Sequence, residues 1–200
     1  MSRRSVNADD LGRPRRTRRE NVTILVVSEG ESREPQYFRG LARHLKSTGV
    51  KICTIKALGT GRGPEKVVER ARKETNNGRL VGNRDGFDYV WCVFDVDDHA
   101  HLEYAIREAL GSGFRVAISN PCFEIWLIWH FEDLARYIDR DKAKKKLRVF
   151  GFNDAGMPAN FDYAKHRDAM DRARIHLDDR PPNPGSRVWA LVENMRRYES

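Results

Sequence analysis

The sequence predicts an α/β protein with an open, mainly parallel sheet of four strands, flanked by helices and followed by additional C-terminal helices. Three observations carry this prediction. Short apolar, β-branched runs alternate with amphipathic helical stretches through residue 118. The first of these runs, "VTILVV", is a continuous apolar and β-branched run, which indicates a strand buried on both faces. After residue 121 the pattern is helical, with loops between the helices. Strands separated by helices favour right-handed crossovers and parallel pairing.

The individual elements follow from local patterns. In the first helical stretch, Tyr37, Phe38, Leu41 and Leu45 fall on one face, and Gly49 suits the C-terminal cap. The second begins with the glycine-rich "GTGRGP", whose proline suits a first helical turn. The predicted strands are 22–27, 50–55, 88–94 and 114–118. The connecting segments are a helix at 34–49, a glycine loop with a helix at 59–74, and a helix at 101–113.

The C-terminal part is predicted to contain helices at 122–138, 141–150, 163–177 and 186–198. These helices could form a separate unit or cover the faces of the sheet. We treat residues 21–200 as one domain, with a helical part from about residue 122.

The net charge of +8 is concentrated near the N-terminus. Residues 1–20 contain seven arginines against three acidic residues and almost no apolar side chains, which predicts disorder. The segment is either a solubilising tail or an arm that binds phosphate backbones. In the second interpretation the contacts come from four clustered arginines, Arg15, Arg16, Arg18 and Arg19.

The remaining composition indicates a protein of the reducing cytoplasm. No run approaches the roughly 18 apolar residues of a membrane helix, and the N-terminus lacks the apolar segment of a signal peptide. Cys53, Cys92 and Cys122 form no CxxC pair and lie in or beside apolar stretches. We therefore expect buried free thiols and no association with a membrane.

Acidic residues follow three of the four predicted strands. "SEGESRE" comes after the first strand, "DVDDH" after the third and "SNPCFE" after the fourth. Because ligands bind beyond the carboxyl ends of parallel strands, these segments are expected to meet at one edge. They supply Glu29, Glu31, Glu34, Asp95, Asp97, Asp98 and Glu124. Carboxylate oxygens suit Mg²⁺ or Mn²⁺, and a pair of such ions can act on a phosphodiester.

The spacing in "DVD" supports a shared ligand. In a regular strand Asp95 and Asp97 point the same way, with Val96 opposed, so both carboxylates reach one ion. The alternative is a set of solvated loop carboxylates that cap helices, and we favour this alternative for Asp98, just before the third helix.

Three segments, "ILVVSEGESREPQYF", "VFDVDDH" and "ISNPCFEIWLIWHF", resemble the signature blocks of the RloB-like family of bacterial proteins, which accompany restriction and phage-defence loci. The resemblance runs from about residue 22 to the C-terminal "NPGSRVWALVENM". It implies a Toprim-like core, in which Glu29 is a metal ligand or general acid/base, Asp95 and Asp97 form the DxD pair, and Glu34 and Glu124 are further acids. Arg33 stands where the family usually has a small hydroxyl residue.

Several candidates keep two interpretations. His130 lies six residues after Glu124, off the same helical face, and is expected to be a core or orienting histidine. Glu124 itself could favour the positive end of a helix dipole. "GTGRGP" with Arg62 is either a phosphate contact or a flexible loop. The run with Lys144, Lys145 and Lys146 is either a solvated helix face or a grip on nucleic acid.

Two main functions follow. The first is a metal-dependent nuclease that hydrolyses RNA or DNA with Mg²⁺ or Mn²⁺, with the acidic residues at its centre. The second is a non-catalytic binding subunit, since the family resemblance implies a neighbouring RloA-like ATPase as partner. A phosphotransferase of the haloacid dehalogenase type is disfavoured, because its DxD motif follows the first strand. The oligomeric state, including a homo-oligomer, stays open.

Overall fold

The computed structural model describes residues 23–45, 50–54, 63–76, 87–96, 101–153, 156–173 and 180–197. Several predicted features lie outside these ranges: the N-terminal arm with Arg15, Arg16, Arg18 and Arg19, the glycine loop with Arg62, and the pair Asp97 and Asp98.

The predicted open, mainly parallel sheet is confirmed. Its strands are β1 (Ile24–Ser28), β2 (Val50–Thr54), β3 (Tyr89–Asp95) and β4 (Arg115–Asn120), in the spatial order β2-β1-β3-β4. All three pairings among them are parallel. A two-residue strand, β5 (Gly185–Ser186), adds an antiparallel pairing to Ser119 and Asn120 that the sequence pattern did not predict.

β1, β3 and β4 are buried on both faces, as their apolar runs predict, and their successive side chains enter two separate cores. One core takes Ile24, Val26, Trp91, Val93 and Ala117 from the strands. The other takes Leu25, Val27, Val90, Cys92, Phe94, Val116 and Ile118. This alternation is the two-residue period of a strand. Cys92 and Cys122 are free and buried, as expected.

Two helices cover one face and the others cover the opposite face. α2 (Pro64–Asn76) and α3 (Leu102–Gly111) pack on the second core. The first core receives α1 (Arg33–His44), α4 (Glu124–Ile128), α5 (Arg140–Val149), α6 (His166–Arg172) and α7 (Val188–Arg196). The C-terminal helices therefore share a core with the sheet. None of the described helices is long and apolar enough to cross a membrane.

The prediction of one helix over 122–138 is wrong. α4 ends at Ile128, and the chain continues as a turn over 129–131 and then as bends and irregular structure up to Asp139. The cause is tertiary: Arg172 donates to the carbonyl oxygen of Trp129 at 2.6 Å. The indole N–H of Trp129 donates to the Leu134 carbonyl oxygen at 3.2 Å. These bonds replace the backbone bonds that would continue the helix.

The first core is built around the Tyr37 ring, which makes edge contacts with Phe38, Phe123 and Trp126. His130, 1% exposed, belongs to this core and not to the acidic edge, as predicted. Its Nδ1 lies 2.9 Å from the Trp126 carbonyl oxygen, which only accepts, so Nδ1 carries the hydrogen. Its Nε2 therefore accepts from the Tyr37 hydroxyl at 3.2 Å. Burial lowers the pKa of His130 to about 3, so the ring is neutral.

Gly40 allows α1 to approach the side chain of Tyr163 closely. A Cβ atom at this position would overlap the Tyr163 ring and hydroxyl, whereas one at Gly111, at the end of α3, would meet nothing within 4 Å. Both glycines lie in helices, so replacement by alanine raises the helix propensity by up to about 1 kcal/mol in each case.

We therefore expect Gly40→Ala to destabilise the protein by about 1–3 kcal/mol, because overpacking outweighs helix propensity. Gly111→Ala should be neutral or stabilising by up to about 1 kcal/mol. Urea denaturation of both variants measures the difference, and equal free energies of unfolding would contradict the close approach of Tyr163 to α1.

Candidate active site

The strand order places a crevice between β1 and β3, because the crossovers from these two strands run in opposite directions. Glu29 directly follows β1, and Asp95 is the last residue of β3. β4 leads through Asn120 into α4, whose first residue is Glu124. The fold therefore brings the carboxyl ends of these strands to one edge, as the sequence predicted.

Asp95 is almost completely buried, with 7% of its surface exposed. One carboxylate oxygen accepts from the Phe123 backbone N–H at 2.9 Å, and the other accepts from Arg140 at 3.1 Å. Burial raises the pKa of Asp95 well above its usual value, and repulsion from Glu34 and Glu124 raises it further. Val96 packs on the opposite core, which agrees with the predicted alternation.

Glu124 is also buried, at 6% exposure, and has its own arginine partner. Arg33, from the start of α1, donates to its carboxylate at 2.6 Å. The second guanidinium nitrogen donates to the Asn153 carbonyl oxygen at 2.9 Å. Arg33, which departs from the family pattern, thus links α1, α4 and the loop after α5.

Glu34 belongs to the first turn of α1, and its carboxylate folds back over Gly30. A Cβ atom at position 30 would overlap this carboxylate, so a larger residue there would force the Glu34 side chain to move. Burial raises the pKa of Glu34, and repulsion from Glu124 contributes in the same direction. Glu34 therefore belongs to the same electrostatic cluster as Asp95 and Glu124.

These carboxylates line one cavity of about 440 Å³, together with basic side chains. Arg140, Lys144 and Arg148 line it from α5 at a spacing of four residues, which places them on one helical face. We call this cavity the acidic-edge cavity. Its floor carries carboxylates and its α5 wall carries cations, so it can receive both a cation and a phosphate group.

The structure brings together some of the predicted site residues and separates others. Glu34, Asp95, Glu124 and Lys144 line the acidic-edge cavity, as does the exposed Glu31. Glu29 contributes to the raised pKa of Asp95 but is not part of the described lining.

Two of the predicted lysines lie elsewhere on α5. Lys145 is exposed and does not line the cavity, and Lys146 pairs with Glu132 at 2.5 Å. Asp97, Arg62 and the arginines of the N-terminal arm lie outside the described residues.

Sequence reasoning missed the roles of Arg33 and Arg140. Arg33 was visible as a departure from the family pattern, and Arg140 precedes Lys144 by one helical turn. The amide of Asn120, the last residue of β4, donates to the Pro181 carbonyl oxygen at 2.9 Å. The backbone N–H of Phe123, just before α4, donates to the carboxylate of Asp95.

The chemistry of the donors fits a hard divalent cation, since the cavity presents carboxylate oxygens that repel one another. Within the described part of the chain, however, no group of three His, Cys, Asp or Glu side chains is arranged to hold a metal ion. Asp95 and Glu124 each face an arginine.

The geometry defines a class: an α/β protein with an open parallel sheet and a buried carboxylate cluster at the carboxyl edge of that sheet. A family model described as RloB-like protein matches residues 24–195. The chain therefore belongs to the RloB-like family, which confirms the resemblance seen in its motifs. No curated protein and no solved structure matches this chain.

A raised pKa in the folded state has a defined effect on stability. The folded protein binds the Asp95 proton more tightly than the unfolded chain does. The associated stability is present at low pH and is lost as the pH rises through the folded-state pKa. The hydrogen bonds from the side chain and the backbone N–H of Lys142, the latter at 2.8 Å, lower the pKa of the partly exposed Asp139, which therefore has the opposite dependence.

We expect Asp95→Asn to raise the thermal midpoint at neutral pH in the presence of EDTA, because it removes a buried repulsive charge. The gain should shrink as the pH falls and Asp95 becomes protonated. Asp139→Asn is the matched control and should show no such gain. Thermal melts across pH 5–8 make the comparison, and an Asp95→Asn gain that does not change with pH would contradict the raised pKa.

Proposed function

We propose that this protein is a metal-dependent nuclease that hydrolyses phosphodiesters of RNA or DNA. One observation carries the proposal: Glu34, Asp95 and Glu124 come from separate segments to one cavity whose α5 wall is basic. A polyanionic substrate needs cationic contacts, and a cluster of buried carboxylates needs positive charge. Membership in the RloB-like family supports a Toprim-type core and a role in phage defence.

The residues would divide the work in a definite way. Asp95 and Glu34 would hold a Mg²⁺ or Mn²⁺ ion, together with Glu29 and Asp97, whose roles are implied by the family motif. When bound, such an ion stabilises the negative charge that develops on phosphoryl oxygens. Glu29, beside the cluster, would accept or deliver the proton.

The α5 wall would position the substrate. Lys144 and Arg148 line the cavity and can contact phosphate oxygens. Arg140 and Arg33 hold Asp95 and Glu124 at 3.1 and 2.6 Å. The N-terminal arm and Arg62 would extend the contact along the polymer, which is the role that the sequence analysis gave them.

One observation favours the alternative, a non-catalytic subunit that binds nucleic acid or regulates a defence ATPase. Both buried acids, Asp95 and Glu124, already have arginine partners, so the cluster is partly neutralised by the chain itself. In this case the two ion pairs would stabilise the fold, and an RloA-like ATPase would supply the enzymatic activity of the defence system.

Substitution of single carboxylates in the cluster distinguishes a nuclease from a non-catalytic subunit. We expect Asp95→Asn and Glu34→Gln each to reduce Mn²⁺-dependent cleavage of RNA or DNA by more than about 100-fold, since each removes an anionic ligand. The control is Asp133→Asn, a carboxylate outside the cavity lining. Crystals soaked in Mn²⁺ give an independent readout through anomalous scattering at these carboxylates. Cleavage that is equal in parent and variants, with no anomalous signal, would refute the nuclease.

Neighbouring lysines on α5 test the basic wall. Lys144→Gln should weaken binding of a single-stranded oligonucleotide by about 3- to 10-fold and reduce its salt dependence, because Lys144 lines the cavity. Lys145→Gln removes the same charge from the next residue, outside the cavity, and should have a smaller effect. Fluorescence anisotropy at two salt concentrations measures both, and equal losses would place the nucleic acid elsewhere.

A further inference from the structure

A second cavity of about 390 Å³ lies at the other end of the sheet. Trp91 lines it from β3, four residues before Asp95, so the two sites are about 13 Å apart along the strand. Its walls come from α3 and α7, and its floor is the start of β4. We call it the β4 groove and define it by Leu110, Phe114, Arg115, Val116, Arg187 and Trp189.

The floor of the β4 groove is the outer edge of β4 before β5, where Val116 lines the cavity and is 4% exposed. The Ile118 carbonyl oxygen accepts from the Arg187 backbone N–H at 2.8 Å on the outer side of β4. The Ser119 carbonyl oxygen accepts from Val96 at 2.8 Å on the β3 side. Since backbone groups alternate along a strand, the N–H and C=O of Val116 face outwards. β5 pairs only Ser119 and Asn120, and no backbone hydrogen bond among the described residues reaches Val116 from outside.

The two walls differ in chemistry. The α3 side is apolar: Leu110, 43% exposed, supplies its accessible surface, and Phe114 and Val116, each 4% exposed, lie beneath it in the core on that face. The other side is basic, with Arg115, Arg187 and Arg197 in the lining. Arg115 is held in place by the Tyr89 ring, with its guanidinium carbon 4.2 Å from the ring centroid.

The basic wall keeps a net positive charge. Its carboxylate, Glu193, pairs with Arg196 at 3.2 Å. A strand laid beside β4 would send alternate side chains to the two walls. Acidic residues would meet the arginines, and apolar residues would meet α3.

We propose that the β4 groove binds an extended segment of a partner protein, added as a strand beside β4, in which acidic and apolar residues alternate. The open N–H and C=O of Val116 provide the main-chain pairing, and the two walls select the side chains. This site is separate from the acidic-edge cavity and does not depend on the proposed nuclease activity.

Other occupants fit less well. A second copy of the chain, paired edge to edge, would bring Arg115 against basic residues of the same groove. The N-terminal arm, with seven arginines, would meet the same repulsion. A nucleic acid would satisfy the arginines but would leave the apolar α3 wall and the outward groups of Val116 without matching contacts.

Two peptides of equal composition test the alternation. The probe is the labelled peptide Ser-Glu-Val-Glu-Leu-Glu-Val-Ser, and its control is Ser-Glu-Glu-Glu-Leu-Val-Val-Ser. Fluorescence anisotropy with the full chain should show at least about tenfold tighter binding of the alternating peptide, because only that peptide matches both walls. Equal affinities, or no binding of the alternating peptide, would overturn the proposal.

Variants and amide exchange test where the peptide binds. The exposed pair Arg115→Glu with Arg197→Glu should weaken alternating-peptide binding by about tenfold or more, whereas Arg39→Glu, an exposed arginine on α1, should not. Hydrogen exchange at the Val116 amide should slow when the peptide binds, and N-methylation of the peptide's alternate amides should abolish binding. Asp95→Asn should leave the affinity unchanged.

Three results would contradict the assignment. The first is peptide binding that survives the double charge reversal in a folded variant. The second is displacement of the peptide by a short single-stranded oligonucleotide, which would make the groove a nucleic-acid contact. The third is a concentration-dependent dimer in sedimentation that Arg115→Glu dissociates, which would assign the groove to a second copy.

Discussion

The arrangement of the carboxyl edge depends on one buried carboxylate. Asp95 is the last residue of β3. Its carboxylate accepts the backbone N–H of Phe123, just before α4, and accepts from Arg140 at the start of α5. A single side chain therefore joins the central sheet to two helices of the covering layer. Its burial is unfavourable for the charge, and the hydrogen bonds offset part of that cost. This contact and the packing of Ala143 and Leu147 in the first core together hold α5, and with it the basic wall of the cavity, beside the strand ends.

Two buried carboxylates at this edge each face an arginine from the covering layer. Arg140 of α5 donates to Asp95 at 3.1 Å, and Arg33 of α1 donates to Glu124 at 2.6 Å. The two arginines come from different helices, so the charge balance of the cavity depends on how both helices pack on the sheet.

Much of the fold was accessible from the sequence because its signals are local. Short, mainly apolar runs indicated the four strands, and the strand ends then placed Asp95 and Glu124 at one edge. The end of α4 was not accessible, because Arg172, more than forty residues later, takes the Trp129 carbonyl oxygen. The short strand β5 was missed for a related reason: two residues carry no periodicity, and their pairing depends on β4.

Prediction of the candidate site from the sequence was limited in the same way, because contacts between distant segments are not visible in the chain. The acidic motifs identified Glu34, Asp95 and Glu124, since chemistry and spacing are visible in the chain. The arginine partners were not identified, because the pairing of Arg33 with Glu124 depends on how α1 meets α4 across the core. Lys144 and Lys145 looked equivalent as neighbours in a charge run, and only the orientation of α5 distinguishes them.

α1 contacts α4 and the turn after it through two polar pairs, one at the rim of the cavity and one inside the core. Arg33 and Glu124 join them at the rim, and the Tyr37 hydroxyl and His130 join the α1 core face to the turn after α4. With a pKa of about 3, the imidazole keeps the same tautomer in a mildly acidic or a neutral cell. The inner connection therefore keeps the same donor and acceptor over this pH range, and it still joins α1 to the turn after α4 when the rim pair is broken.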